Sequence, residues 1–406
     1  MYKNIDLQNK DRYSHEIYLP KAKLEAAAER ALNRLERNGV KFQDKMAIPV
    51  NGWFVKNPKG FSLNRYDATE QVTWTTGMWT GMYWLAYQLT GEKKFRDVAE
   101  SQLKHYIRTV QRPEELNDHD TGFKYIPSCV AAYQITGNES ARKAALEAAK
   151  IQMDHFCKVN KFIIRSGTRS EKDHYMDYRT LVDSMMNIPL FFWAYEQTGD
   201  RTFYDAAVGH YHTTAKYLIR EDGSSYHHYQ FDPVTFEPVC GVTHQGNSDK
   251  SCWTRGHSWL VYGYPVAYKY TKDEEIVDIH KAVSYYFMDH LPMDGIPYWD
   301  FDFTDGCIEP KDSSASAIAV CGLMEMNKYL PDTAEQKYLF KNAANLMLET
   351  LIDKCENRNE ETDCMLLHVT GSRPHCIGVD NCETYGDYFY LEALARTLNP
   401  ELELFW

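Results

Sequence analysis

The sequence contains no Cys-x-x-Cys pair, no block of Lys and Arg, and no apolar run approaching the ~20 residues that cross a bilayer. Each absence closes off a class. The closest cysteine cluster, Cys355, Cys364, Cys376 and Cys382 with His368 and His375 nearby, does not have the spacing of a structural zinc site, where ligand pairs sit about two to four residues apart. With a formal net charge of -12 and no clustered cations, the chain lacks the means to grip phosphates, so no nucleic-acid partner is expected. The first residues, Met1-Tyr2-Lys3-Asn4-Ile5-Asp6-Leu7-Gln8, have no basic stretch followed by an apolar run, so no signal peptide is visible. The ten cysteines are scattered through a long chain, which points to free thiols in a reducing compartment. A cytoplasmic location without a membrane partner is the expectation. Nothing demands a metal or an organic cofactor, and the oligomeric state leaves no mark on the sequence.

What the sequence does have is a repeat. Ala86-Tyr87-Gln88-Leu89-Thr90-Gly91 recurs as Ala132-Tyr133-Gln134-Ile135-Thr136-Gly137, as Ala194-Tyr195-Glu196-Gln197-Thr198-Gly199, and more loosely as Ala267-Tyr268-Lys269-Tyr270-Thr271-Lys272. Each copy follows an apolar, aromatic-rich run. Each is followed by an amphipathic run such as Phe95, Val98, Ala99, Leu103 and Tyr106, whose spacings of three and four are helical. The Thr-Gly pair stops the first helix, with glycine free to turn left-handed, and Glu92, Asn138, Asp200 and Asp273 open the second. Further hairpins are readable at 315–351 and, half-complete, at 386–398, whose partner is expected in the helix at 21–38. About six hairpins, each with a first helix apolar all round and a second polar on one face, predict an all-α ring with inner and outer layers. The same pattern also suits an open solenoid. In the ring, the segments before the inner helices meet at one mouth.

Those segments are rich in Trp, His, Asp and Gly. For Asp120 and Asp183, helix N-capping is one reading. The other is chemistry, since Asp183 lies between Leu181-Val182 and Met185-Met186, and partial desolvation would raise its pKa toward the range of a general acid. Asp312, before Ser313-Ser314-Ala315-Ser316, reads as a cap. Trp74, Trp79 and Trp259 suit stacking on sugar rings as well as core packing. His119, His227, His228, His244 and His257 gather near the mouth as ligand contacts or structural histidines. Arg255, flanked by Gly256, suits a carboxylate or a sugar hydroxyl. The basic loop 165–172 and the segment Gly371-Ser372-Arg373-Pro374-His375 could hold a sulfate, or lie solvated at the surface.

Taken in order, His119-Asp120-Thr121-Gly122-Phe123, Val182-Asp183-Ser184-Met185-Met186-Asn187, His244-Gln245-Gly246, Trp253-Thr254-Arg255-Gly256-His257-Ser258-Trp259 and Gly386-Asp387-Tyr388-Phe389 resemble family 88 glycoside hydrolases, the unsaturated glucuronyl hydrolases. The resemblance spans most of the chain. It implies an (α/α)6 barrel, with residues 1–406 forming one catalytic domain. It also implies a substrate, the unsaturated uronic acid that lyases leave at the non-reducing end of glycosaminoglycan-type oligosaccharides, and a reaction, hydration of its C4=C5 vinyl ether. By position, Asp183 would be the general acid and base, and Asp120 would bind sugar hydroxyls and, as a nearby carboxyl, favour the protonated form of Asp183. Trp74, His119, His227, Gln245, Arg255 and Trp259 would contact the sugar, and whether His227 or His228 does so is open. An unsaturated rhamnogalacturonyl hydrolase, a sugar epimerase or isomerase on the same toroid, and a non-catalytic glycan-binding repeat are the competing readings.

Overall fold

The computed structural model describes residues 2, 5–50, 64–165 and 178–406. In chain order its helices are α1 (Lys21–Phe42), α2 (Thr76–Thr90), α3 (Lys93–Thr109), α4 (Thr121–Tyr125), α5 (Ala131–Thr136), α6 (Glu139–Asp154), α7 (Pro189–Thr198), α8 (Arg201–Tyr217), α9 (Thr254–Thr271), α10 (Glu275–Asp289), α11 (Ser313–Asn327), α12 (Glu335–Thr350) and α13 (Thr384–Leu398). Helices α4 and α5 are one inner helix interrupted by a π-helical turn at Ile126–Val130, where Pro127 has no N–H to give to the ladder.

Helices α2, α4–α5, α7, α9, α11 and α13 form the inner layer. Around it each is in contact with the next, and α13 packs back against α2, so the ring is closed rather than an open solenoid. The outer layer is α3, α6, α8, α10 and α12, completed by α1, which packs on α13. Burial follows the sequence pattern. Every residue of α9 from Thr254 to Tyr268 is buried, whereas α3 buries only one face, including Phe95, Ala99, Leu103 and Tyr106. Inner helices also approach closely: a Cβ on Gly322 of α11 would lie 2.4 Å from the Val261 carbonyl oxygen of α9.

The repeated Thr-Gly has a visible job. In four copies the Thr hydroxyl donates to the carbonyl four residues back: Thr90 to Ala86, Thr136 to Ala132, Thr198 to Ala194 and Thr271 to Ala267. In three it also accepts the N–H two residues on, from Glu92, Asp200 and Asp273. Gly91, Gly137 and Gly199 then take φ of 71°, 70° and 73°, and in the fourth copy Lys272 adopts φ 53°. The expected openers divide. Asn138 and Asp200 cap α6 and α8 through their side chains, Glu92 stands at the cap of α3 without a side-chain bond, and Asp273 sits one residue before the cap of α10.

The sequence pattern shows no strands, yet short ones occur in the connections. They are β1 (Met46–Pro49) with β2 (Tyr66–Thr69), β3 (Phe156–Cys157) with β4 (Phe162–Ile163), and the antiparallel sheet of β5 (Arg179–Leu181), β6 (His228–Phe231) and β7 (Pro238–Val242). The last sheet carries chain into the mouth of the ring.

Candidate functional site

At that mouth lies a cavity of about 170 Å³, smaller than the ~300–1,000 Å³ of drug-sized sites and suited to a single sugar ring. The eight residues to which the resemblance gives a role all line it. Trp74 precedes α2, His119 and Asp120 precede α4, and Asp183 sits in the 3-10 turn Val182–Met186 ahead of α7. His227 precedes β6, Gln245 follows β7, and Arg255 and Trp259 belong to the first turns of α9.

Neither acidic residue caps a helix with its side chain. Asp120 occupies the N-cap position of α4 without a side-chain cap bond, and Asp183 lies inside its 3-10 turn. Both instead flank His119. The His119 main-chain N–H and its Nδ1 meet the Arg165 carbonyl at 2.9 and 3.0 Å, so Nδ1 carries a hydrogen. That anchor leaves Nε2 beside the acids, 3.3 Å from Asp120 Oδ1 and 3.8 Å from Asp183 Oδ2. Burial opposes a charge on this ring, but Asp120 and Asp183 override it and push His119 up to about 9, so it is an imidazolium at neutral pH. Burial likewise pushes Asp120 up to about 6; His119 pulls it down while Asp118 and Asp183 push it further up. Asp118 is held below the usual range, despite burial, by the ammonium of Lys124, which donates to its two oxygens at 2.8 and 2.6 Å. The Asp183 side chain is 13% exposed, and its Oδ1 is buried with no hydrogen-bond partner.

Also in the lining, His227 Nδ1 accepts the N–H groups of His244 and Gln245, both at 3.2 Å. Its hydrogen is therefore on Nε2, which has no partner, and burial with His244 nearby keeps the ring neutral. His228 also lines the cavity, its ring 3.7 Å from that of His227.

Arg255 lines the cavity while most of its donors are engaged inside the protein. Its guanidinium lies between the rings of Trp253 and Tyr385, at 4.7 and 4.9 Å. Its terminal nitrogens donate to Asp312 at 2.7 Å, to the carbonyls of Thr370 and Gly371 at 2.5 and 2.6 Å, and to Gln245 Oε1 at 3.2 Å. Four of its five N–H groups are thus engaged within the protein. Asp312, read as a cap, makes no side-chain cap bond and serves as the buried counter-ion of Arg255.

The other positions singled out in the sequence fall as follows. Trp79 is buried in the core against Phe42 and Tyr66, away from the cavity. His257 is structural, bonded to Ser225 and the Val283 carbonyl. The cysteine and histidine cluster at 355–382 does not assemble a metal-holding group; among the described residues only His212, Asp273 and Glu275 bring three ligand atoms together. Of the basic loop 165–172, Arg165 lines the cavity and residues 166–172 lie outside the described residues. In the segment 371–375, Arg373 pairs with Glu309 and His375 packs on His244.

Sequence reasoning missed Phe123, Leu181 and Trp253 as lining residues. Trp253 and Phe123 stand within motifs already singled out, and their proximity to Arg255 and Asp120 was the available signal. Trp74, stacked on Tyr385 at 4.9 Å and 23°, and Trp259, packed on Phe123 at 5.1 Å, complete an aromatic wall.

The chain is similar to known proteins over almost its whole length. Residues 47–390 match the family described as Glycosyl Hydrolase Family 88. An unsaturated chondroitin disaccharide hydrolase of Streptococcus pneumoniae is 39% identical over 401 residues, covering 98% of each chain. A crystal structure of an unsaturated glucuronyl hydrolase from Streptococcus agalactiae superposes with a TM-score of 0.92 at 38% identity, covering 99% of this chain and 98% of that one. A mutant of that enzyme complexed with dGlcA-GalNAc6S gives a TM-score of 0.85 at 36% identity, over 100% of both chains. This chain belongs to glycosyl hydrolase family 88.

Proposed function

We propose that the protein is an unsaturated glucuronyl hydrolase, releasing the 4,5-unsaturated uronic acid from the non-reducing end of lyase-generated glycosaminoglycan oligosaccharides. The observation that carries this reading is the pair of acids, Asp120 and Asp183, flanking the His119 ring in the lining of a ring-sized aromatic cavity. The relatives' substrates, a chondroitin disaccharide and dGlcA-GalNAc6S, support the glycosaminoglycan class. The segments leading into α2, α4, α7 and α9 all contribute to the cavity lining.

The residues divide the work as follows. Trp74 and Trp259 face the sugar ring, and the unpartnered His227 Nε2–H donates to a hydroxyl. Asp183 protonates C4, the electron pair of the C4=C5 bond forming the new C–H bond, and positive charge spreads over C5 and the ring oxygen. Asp183, now a carboxylate, takes a proton from the water that adds at C5. The hemiketal opens at the C5–ring oxygen bond, and the hemiacetal left at C1 expels the leaving sugar. His119 and Asp120 hold the charge balance around Asp183 through this cycle. Arg255, four of its donors engaged by Asp312, Gln245 and the loop carbonyls, fixes the Gln245 side chain at the cavity wall. No step calls on a metal or an organic cofactor.

The reading includes two further statements. Residues 1–406 act as one catalytic domain, supported by the closed inner ring. The location is cytoplasmic, supported by ten free cysteines; no helix among the described residues is long and apolar enough to cross a membrane.

Hydration and direct displacement at C1 differ in what happens to the double bond, so the test follows two signals at once. Loss of enoate absorbance should match release of the leaving sugar one for one. Sugar release with the initial product retaining its enoate absorbance would overturn the hydration mechanism.

A further inference from the structure

Asn187 is fully buried and has no part in the chemistry above, yet it touches both acid-bearing segments. Its Oδ1 accepts the N–H of Phe123, in the first turn of α4, at 2.8 Å. Its Nδ2 donates to the main-chain carbonyl of Asp183 at 3.1 Å, and the same nitrogen lies 3.5 Å from Asp120 Oδ1, a long contact. An N–H faces one end of the amide and a carbonyl the other, so its orientation is set by its partners. Gly122 makes the approach possible: a Cβ there would fall 2.5 Å from Asn187 Cα and 2.8 Å from its Oδ1.

We propose that Asn187 is a positioning residue for the hydration reaction, a single amide that ties the Asp120 segment to the Asp183 turn and fixes the spacing of the two carboxyl groups. The inference rests on the assignment of Asp183 and Asp120 as the reacting pair. No other side chain is hydrogen-bonded to both segments' main chains among the described residues. His119 reaches both carboxyls, but through side-chain contacts of 3.3 and 3.8 Å that leave the two backbones free to drift. The acids come from different inner units, whose separation by ring packing alone is no finer than the tolerance of helix packing, whereas proton transfer to a defined carbon is sensitive to displacements of about 1 Å.

Two nearly isosteric variants separate this role from simple packing. Asn187→Leu keeps the branched shape of the side chain and removes both bonds. Asn187→Asp keeps the acceptor for Phe123, loses the donor to Asp183, and sets a third carboxyl beside the pair. The groups around Asp120 are Asp118, His119 and Lys124 from its own segment and Asp183 from the turn, so an added negative charge disfavours ionisation of the pair.

The test is steady-state turnover of an unsaturated chondroitin disaccharide by wild type and both variants across pH, with melting curves to establish folding. In whichever variant folds, kcat should fall about 10- to 100-fold with KM changed less than about threefold, because the geometry of the reacting group is lost rather than the sugar's binding wall. For Asn187→Asp the acidic limb of the pH profile should also move to higher pH. Unchanged kcat and pH profile in a folded variant would overturn the proposal, as would a loss confined to KM. If Asn187→Leu does not fold, Asn187→Asp decides alone; if neither folds, Asn187 is a folding residue and the positioning role is overturned. Wild type that fails to consume the disaccharide would instead overturn the enzymatic assignment itself, so the two failures are distinguishable.

Discussion

His119 and Asp120 place the site's titrations on either side of neutrality. Asp120 loses its charge as pH falls through about 6, and His119 loses its charge as pH rises through about 9. The carboxyls and the imidazolium respond to one another as a cluster, so kcat/KM is expected to hold between those limits and decline outside both. A pH profile of the disaccharide reaction checks this, and a flat profile through pH 6 would argue against Asp120 as the charged partner. A second residue-scale expectation concerns Glu383, fully buried with both carboxyl oxygens unpartnered. Burial pushes it from 4.5 up to about 8, with Arg255 pulling the other way. The folded chain thus keeps a proton that the unfolded chain releases between pH 4.5 and about 8, and over that window stability falls as pH rises. Glu383→Gln should flatten the dependence of melting temperature on pH between those limits; an unchanged slope would show that Glu383 is not its source. Third, Arg255→Met leaves Asp312 buried without its counter-ion and should cost about 3–5 kcal/mol in chemical denaturation.

The site residues were legible in the sequence to the extent that they sit in segments preceding inner helices, where polar residues have no packing reason to cluster. What each one does was less legible. Trp79 has the same residue type as Trp74 and lies in the same segment, but Trp74 precedes α2 whereas Trp79 stands inside it and is buried in the core. Arg255 and Asp312 are far apart in sequence, and only their meeting across the ring reveals that each answers the other's charge.

At the scale of elements, the repeated phrase encodes a helix stop twice over, through the Thr hydroxyl and through the left-handed residue after it. Gly137 has φ 70° and nothing within 4 Å of where a Cβ would stand, so Gly137→Ala tests the backbone term without a steric one. The left-handed conformation costs an L-residue roughly 1–2 kcal/mol, partly offset by about 0.4–1 kcal/mol from the stiffer unfolded chain. A net loss of about 1 kcal/mol in urea denaturation is expected; a gain would show that the cap is not under conformational constraint. Helices were readable because their apolar period persists over many residues. The strands were not, since β1 to β7 are two to five residues long and their pairing partners lie across loops, leaving no alternation to detect.

For the whole molecule, the step from hairpins to a closed ring needed a fact the repeat does not contain, the packing of α13 on α2. A local pattern specifies each unit and its two layers, whereas closure depends on the small rotation between units summed over six of them. Because each inner helix is buried by two neighbours, a break anywhere exposes apolar surface on both sides. The chain is therefore expected to unfold in one calorimetric transition, and two resolved transitions would contradict a single catalytic domain.

Closure is also what brings Asp120 and Asp183 from different units to one imidazolium, and the central claim is that this meeting hydrates an unsaturated uronic acid. The most direct measurement is the enoate absorbance of unsaturated disaccharides from chondroitin, hyaluronan, heparin and pectin, mixed with wild type or Asp183→Asn. The account predicts loss of absorbance with wild type on glycosaminoglycan disaccharides, and a rate lower by about 10³-fold or more in the folded Asp183→Asn protein. Folded wild type that leaves every disaccharide untouched, or an Asp183→Asn protein that turns over as fast as wild type, would contradict it.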